Sequence, residues 1–432
     1  MLGGSAAMNA MMVLRGRPAD YDGWAPGWSW ASAAPAFARS GAGPFPLAEL
    51  PDRHVLTDAF VHAAHAVGIP LVDDLNADDD TGVGYVRVSQ RRGRRFSVVD
   101  GYLRPALRRS NLTVVTGALA TRVLVDRGRA VGVAYRLQGA GPGDEEEALV
   151  EREVVLASGA IGSPHLLQLS GIGPREALEQ AGVDVVHELP GVGANLLDHL
   201  VGGVFALTEG SPTLASAESL RNLANWALRG RGPLTSNVGE AVAFVRTRPD
   251  LRTPDLELLF APVLFEQEGL KQPTEDGLTV GAVLLQPRSA GTVTLRSADP
   301  LDPPAIDPRY LTDPGGEDVA TLVGGLRLAR RVLAQEPLAG FVTGELLPGE
   351  GARTDDDLVT HIRATSQTLY HPIATCRMGT DTLAVVDPDL RVRGLERLRV
   401  VDASVMPRLP SGHTNWPTVM IAERGAELVA AG

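Results

Sequence analysis

Apolar positions in this chain recur in two rhythms, one helical and one of two residues. Residues 55–67 follow the helical rhythm until Gly68-Ile69-Pro70 interrupts it, which predicts a helix with a firm stop. Residues 317–335 predict a longer amphipathic helix. Residues 82–89 alternate as a strand does, and the alternations at 240–246, 256–260 and 279–286 suggest an antiparallel sheet. Residues 111–116 form a further β-rich run, while 121–125 and 130–135 flank Asp126-Arg127-Gly128-Arg129 as the arms of a hairpin. The acidic stretch 141–147 reads as an exposed loop tip. Residues 153–157 predict a short strand that runs into Ser158-Gly159-Ala160-Ile161-Gly162-Ser163-Pro164, with helices following at 165–168 and 175–181. A last short strand falls at 398–401.

This order predicts an α/β fold of two interleaved domains. Residues 1–30, 90–200 and 375–432 form one, and 31–89 with 201–374 form the other, built on the antiparallel sheet. At 432 residues and 44% hydrophobic content, the chain has apolar material for two cores. A net charge of −12 argues against a nucleic-acid partner, since phosphate contacts need clustered Lys and Arg. No apolar run reaches membrane-spanning length, and no basic-then-apolar leader precedes the first motif. The single cysteine, Cys376, excludes an internal disulfide, fits a reducing cytoplasm and reads as packing. Lysine is confined to Lys271, and the pairs Arg91-Arg92, Arg94-Arg95 and Arg330-Arg331 read as solvated faces. Asp73-Asp74 and the run 78–80 read as solvated acids, and no His-x-x-x-His or Cys-x-x-Cys spacing points to a metal.

The long run Gly159-Ala160-Ile161-Gly162-Ser163-Pro164-His165-Leu166-Leu167-Gln168-Leu169-Ser170-Gly171-Ile172-Gly173 resembles the second signature of the glucose-methanol-choline (GMC) flavoprotein oxidoreductases. Tyr370-His371-Pro372, then Leu398 to Pro407, then Ser411-Gly412-His413-Thr414-Asn415-Trp416-Pro417-Thr418 resemble the C-terminal signature of that family. Leu2-Gly3-Gly4-Ser5-Ala6-Ala7-Met8-Asn9, with Arg15 to Asp22 and Trp24, resembles the first signature. The resemblance is strongest to the choline-dehydrogenase-like branch. It implies a Rossmann-like FAD-binding domain formed by 1–30, 90–200 and 375–432, and an α+β substrate domain. The first signature implies Gly3, Gly4, Ser5 and Asn9 as cofactor contacts, and Asn9, where some relatives carry a flavin-linked His, implies FAD held non-covalently. Val115, Gly159, Asp402, Ala403, Thr418 and Val419 are the remaining cofactor positions by the same resemblance. Asp402 also suits an N-cap on the turn after the last strand.

The family begins with a strand, a GxGxxG turn and a helix whose N-terminus meets the pyrophosphate. No such unit precedes Gly3. A late start, a degenerate fragment, or a second chain that supplies the unit would each account for this, and the first is preferred because the pattern is kept after Gly3.

Alcohol oxidation needs a base for the hydroxyl proton while hydride leaves carbon, and histidine suits that step. By resemblance His371 is the base and Asn415 its partner, with His413 the rival for that second role. His199, in the segment Leu189 to His199, reads as structural. The reading is therefore an FAD-dependent oxidation of a primary or secondary alcohol. Two alternatives stay open: an inactive FAD-free fragment of such an enzyme, and a lyase of the hydroxynitrile type on the same fold. The expected partners are a small-molecule alcohol and an electron acceptor, whether oxygen, a quinone or a redox carrier.

Overall fold

The computed structural model describes residues 1–78, 81–141, 143–265 and 273–432. Asp79 and Asp80 of the acidic run, Pro142 of the acidic stretch, and Lys271 lie outside the described residues. After a short strand, Met12–Val13, and a single helical turn, Pro18–Asp22, come helices α1 (Trp30–Gly41) and α2 (Val55–Ala66) and strand β1 (Gly82–Tyr85). Strands β2 (Ala118–Asp126), β3 (Arg129–Leu137), β4 (Glu146–Leu149) and β5 (Val154–Leu156) lead into helix α3 (Gly159–Leu169). Next come β6 (Leu200–Thr208), α4 (Leu220–Arg229), β7 (Ala241–Val245), β8 (Leu256–Ala261) and β9 (Gly277–Leu284). The chain closes with α5 (Glu317–Leu333), β10 (Val342–Leu347), α6 (Asp355–Thr365), β11 (Gln367–Thr368), β12 (Leu398–Val400) and α7 (Asn415–Ala431).

Alternation sorts the main sheet into two buried faces. Its seven strands run β10-β6-β9-β8-β7-β1, with β11 also paired to β6, and every pairing is antiparallel. Leu278, Val280, Ala282 and Leu284 of β9 share one face with Leu256, Leu258 and Phe260 of β8, packed against α2, α5 and α6. The apolar positions of α2, Leu56, Ala59, Phe60 and Ala63, recur at helical spacing, and Phe60 stacks on Phe260 with ring centroids 4.7 Å apart. Gly325 lets α5 lie close, since a Cβ there would come within 2.7 Å of Ala282. Thr354 starts α6 with a reciprocal cap: its hydroxyl accepts the Asp357 N–H, and the Asp357 carboxylate accepts its N–H. The opposite face carries Val201, Val242, Phe244 and Val283, which pack with Met12 and Leu14. Glu257 lies on this face too, directly across from Phe244 and Val283. The site is built here.

The other region is held by different means. Strand β12 pairs with β5 in parallel, β2, β3 and β4 form an antiparallel three-stranded sheet, and α1 packs on α7. An aromatic group of Tyr21, Trp24, Trp28, Phe37, Phe45 and Trp416 fills its core, with Phe37 edge-on to Trp416 at 5.1 Å. Ala33, Ala36, Phe37 and Phe45 belong to this core, although the division drawn from the sequence sets 31–89 with the other domain.

Several expectations are corrected. Residues 112–116 form no strand; they lie exposed, and no strand among the described residues pairs with them to take their N–H and C=O groups. The predicted strand at 82–89 is divided: β1 joins the main sheet, while Arg87–Val88 pairs with Met12–Val13. The acidic stretch is not all loop, because Glu146 and Glu147 open β4. Arg330 is no solvated face, since it forks onto Glu345 at 2.8 and 2.6 Å and reaches the Ala352 carbonyl. Arg95 likewise turns inward to Ala6 and Asn9. The helix expected at 165–168 begins earlier, at Gly159, with Pro164 inside it. Pro164 cannot donate to the Ala160 carbonyl four residues back, and the Thr375 hydroxyl does so instead at 2.6 Å.

Candidate active site

Residues 369–373 run beside 197–199 and carry His371 to the site face of the sheet. The Leu369 N–H donates to the His199 carbonyl, and Ile373 pairs with Leu197. Asp198 fixes the position of His371: its Oδ1 accepts the His371 main-chain N–H at 2.8 Å, and its Oδ2 accepts the hydroxyls of Tyr310 and Thr368. Burial nonetheless pushes the Asp198 carboxyl up, partly offset by these donors.

Two imidazoles meet directly. His199 Nδ1 lies 2.9 Å from His371 Nδ1, and His199 Nε2 lies 3.1 Å from the Leu285 carbonyl. A carbonyl only accepts, so His199 Nε2 carries the hydrogen. Burial, reinforced by His413, pushes the His199 pKa down to about 3, so its ring is neutral and its Nδ1 is a bare acceptor. His371 must then donate through Nδ1. Burial, with His413 and His199 alongside, holds His371 well below the usual imidazole range. Its Nε2 therefore keeps a free lone pair. This is the arrangement a general base requires.

His413 completes the group, with its ring centroid 4.7 Å from that of His371. Its Nε2 lies 3.2 Å from Oε1 of Glu257, a fully buried carboxylate whose Oε2 has no protein partner among the described residues. The His413 main-chain N–H donates to the Leu14 carbonyl, and Gly412 lies so close to Gly16 that a Cβ would sit 2.6 Å from its nitrogen. Asn415 opens α7 half-buried, and its amide makes no hydrogen bond to the described residues. The structure thus joins His371 to His413 and to His199, and leaves Asn415 close in sequence with its amide unspent. Sequence reasoning read His199 as structural and did not single out Glu257. An acid inside the apolar alternation Leu256-Glu257-Leu258-Leu259-Phe260 was the available signal.

A second cluster forms where β5 turns into α3. Asp402 Oδ2 accepts the Gly159 N–H at 2.9 Å and the Ser163 hydroxyl, while its Oδ1 accepts the Ser404 N–H. The expected N-cap is present, and both oxygens accept from protein donors. Asp402 therefore organises the turn, with one acceptor site left on Oδ1. Gly159 sits at φ +79° with open space where a Cβ would be, and Ser158 before it makes no side-chain cap, nor does an acid stand in the first turn of α3. Ala403 follows, half-buried. Thr418 gives both its N–H and its hydroxyl to the Thr414 carbonyl, and Val419 is buried, so the open main-chain donors at the start of α7 belong to Asn415 and Trp416. Residues 371–376 link the two clusters, because Thr375 reaches Ala160.

The N-terminal positions stand nearby in the chain but in a separate local network. Gly3 (φ +87°) lies against Val99, Gly4 and Ser5 are exposed, and Asn9 Oδ1 accepts from Met11 and from Arg95 at 3.0 Å. Val115 is 54% exposed in the run that makes no ladder. Cys376 is buried, and burial pushes its thiol up, away from nucleophilic chemistry. No group of three or more His, Cys, Asp or Glu suited to a metal occurs among the described residues. No helix among them is long and apolar enough to cross a membrane.

Family models described as GMC oxidoreductase match residues 1–201 and 287–422. An uncharacterized GMC-type oxidoreductase of Mycobacterium tuberculosis is 45% identical, covering 99% of this chain and 84% of that protein. An alcohol dehydrogenase [acceptor] of Pseudomonas putida is 37% identical over 99% of the chain and 81% of its own length. An oxygen-dependent choline dehydrogenase of Pseudomonas entomophila is 39% identical over 98% and 78%. Among solved structures, an Aspergillus oryzae formate oxidase described in terms of FAD modification superposes with a TM-score of 0.91 at 25% identity, covering 100% of this chain and 84% of that one.

Proposed function

The chain belongs to the GMC oxidoreductase family, and from that premise we propose that it oxidises a small-molecule alcohol to a carbonyl compound with FAD held non-covalently. The observation that carries the reading is the hydrogen-bond chain from Leu285 through His199 to His371, which leaves His371 Nε2 as a bare acceptor. The residues present fit the cofactor. Beyond the Gly159 N–H that Asp402 takes, the first turn of α3 has no cap from Ser158, and the open space at the left-handed Gly159 admits a phosphate group against the remaining main-chain N–H donors. Ser158, Gly159 and Ala403 would hold the cofactor here, with the Gly3 to Asn9 segment as a further contact. When bound, FAD supplies the hydride acceptor.

The chain's own residues perform the rest. His371 Nε2 takes the hydroxyl proton, and the electron pair left on oxygen forms the carbonyl as the carbon-bound hydride departs. Asn415 orients the oxygen through its free amide. His413 has its Nε2 committed to Glu257, which favours Asn415 for this task. Asp198 and His199 fix the position and tautomer of His371. The test is anaerobic mixing of FAD-loaded protein with primary and secondary alcohols. Loss of the visible flavin band with formation of a carbonyl product is expected, and a His371→Ala variant should keep its flavin and lose the bleaching. An unchanged flavin band across all alcohols, together with cleavage of a cyanohydrin, would overturn the reading.

A further inference from the structure

Helix α4 is turned inside out. At 100° per residue, Leu223, Ala227, Leu220, Ala224 and Leu228 occupy one continuous arc of about 140°. That arc points away from the protein: Leu220 is 86% exposed, Leu228 85% and Leu223 49%, and no residue of the helix is buried. The half-buried side is the polar one. Asn222 donates to the Ala217 carbonyl, and the Trp226 indole donates to the Gly93 carbonyl at 2.9 Å. Ser219 caps the start and Gly230, in the left-handed conformation, ends it, so the helix is already formed with its leucines outward.

The surrounding charge is opposite in sign to that of the whole chain. Arg221 borders the leucine arc while Arg229 lies on the far side of the helix end, and the adjacent turn presents Arg92 and Arg94, with Arg94 lying 4.5 Å over the Trp226 ring. These four arginines make no ion pair among the described residues, whereas the nearby Arg231 is paired with Asp52. The chain's net charge is −12, so this is a local reversal. A second copy of the chain placed symmetrically on this face would set arginine against arginine. Nucleic acid would use the arginines and leave the leucines in water.

We propose that α4 and the Arg92–Arg94 turn form an interfacial surface that docks on an anionic phospholipid bilayer, with the leucines entering the headgroup boundary and the arginines contacting phosphates. The experiment is cosedimentation of the full chain with phosphatidylcholine vesicles, with and without phosphatidylglycerol, at low and high salt. Binding to the phosphatidylglycerol vesicles is expected, reduced by salt and weak on phosphatidylcholine alone. A Leu220→Ser, Leu228→Ser double variant should lose about tenfold or more of that partitioning. An Arg92→Gln, Arg221→Gln variant should lose the preference for phosphatidylglycerol. All four positions are exposed, and an unchanged melting temperature confirms that each variant folds. Absence of binding to either vesicle, or wild-type binding by the leucine variant, would overturn the proposal. So would a dimer in gel filtration that the leucine variant abolishes, since a second copy would then cover the face.

Discussion

The main antiparallel sheet and the parallel pair of β5 and β12 teach different lessons about what a strand needs. Every position of β9 is buried, because helices cover one face and the Met12, Leu14 and Phe244 core covers the other. Among the described residues strand β5 has only β12 beside it, and its Val155 is 41% exposed. Residues 111–119 of the same region are exposed throughout, Leu112, Val114 and Val115 among them. The side chains are equally β-prone in both places. What differs is whether a partner strand and a covering layer are present, which is what β-propensity measures. His371 lies where the two regions meet, held by the 197–199 segment on the site face of the main sheet and joined through residues 371–376 to the start of α3.

The largest expected effect is at that seam. His371→Ala should lower kcat about 100- to 10,000-fold, the range for loss of a general base, while flavin retention and melting temperature stay near wild type. Steady-state rates with flavin content measured on the same samples check it; normal turnover would remove His371 from the mechanism. Next is a paired substitution that tests the contrast itself. Phe260→Ala deletes a ring stacked on Phe60 in a covered face and should cost about 3–5 kcal/mol. Val115→Ala, at an exposed position without a ladder, should stay within about 0.5 kcal/mol. Urea unfolding of both variants gives the comparison, and equal costs would break it.

What was legible in the sequence follows the same line. The strands at 240–246, 256–260 and 279–286 and the helix at 317–335 were readable because each carries its own period and finds its partners within the fold. The run 111–116 shows the period too, yet forms nothing, since a pattern cannot report whether a neighbour is there. The start of α3 was hidden for a different reason. Gly159, Gly162 and Pro164 are poor helix formers, and the bond that rescues the helix comes from Thr375, more than two hundred residues away. His371 was legible through its motif. Glu257 and the role of His199 were not, because positions 199, 257, 371 and 413 are joined only by the sheet.

A pH dependence should come next in size, and it separates the site from its surroundings. The fold depresses the His199 pKa to about 3, so between that value and the unfolded value of about 6.5 the unfolded chain binds the extra proton. Stability is then fully present above about pH 6.5 and falls as pH drops through this window. From pH 7 to 5 this one residue should remove about 2 kcal/mol. His371 is shifted the same way, so the acid limb of kcat/KM should also lie below the usual histidine range. A His199→Gln variant should flatten the stability profile over that interval. A wild-type profile in the variant would show that other groups govern acid unfolding.

The smallest effect is the sharpest form of the comparison, because it concerns how each region begins its helices. Thr354 caps α6 from its own side chain, and Thr354→Ala should cost about 1 kcal/mol. Ser158 stands at the corresponding place before α3 and makes no side-chain cap there, so Ser158→Ala should change stability by no more than about 0.5 kcal/mol. The structural region closes its helix ends internally. At the site the turn is held from across the fold by Asp402, which takes the Gly159 N–H, and the next main-chain donors have no cap from Ser158. FAD titrations of the two variants give the second readout. A crowded turn at position 158 should weaken FAD binding while position 354 leaves it unchanged, so Ser158→Leu is the variant to set beside Thr354→Ala. If Ser158→Leu held FAD as tightly as wild type, the open end of α3 would not be the place where the cofactor rests.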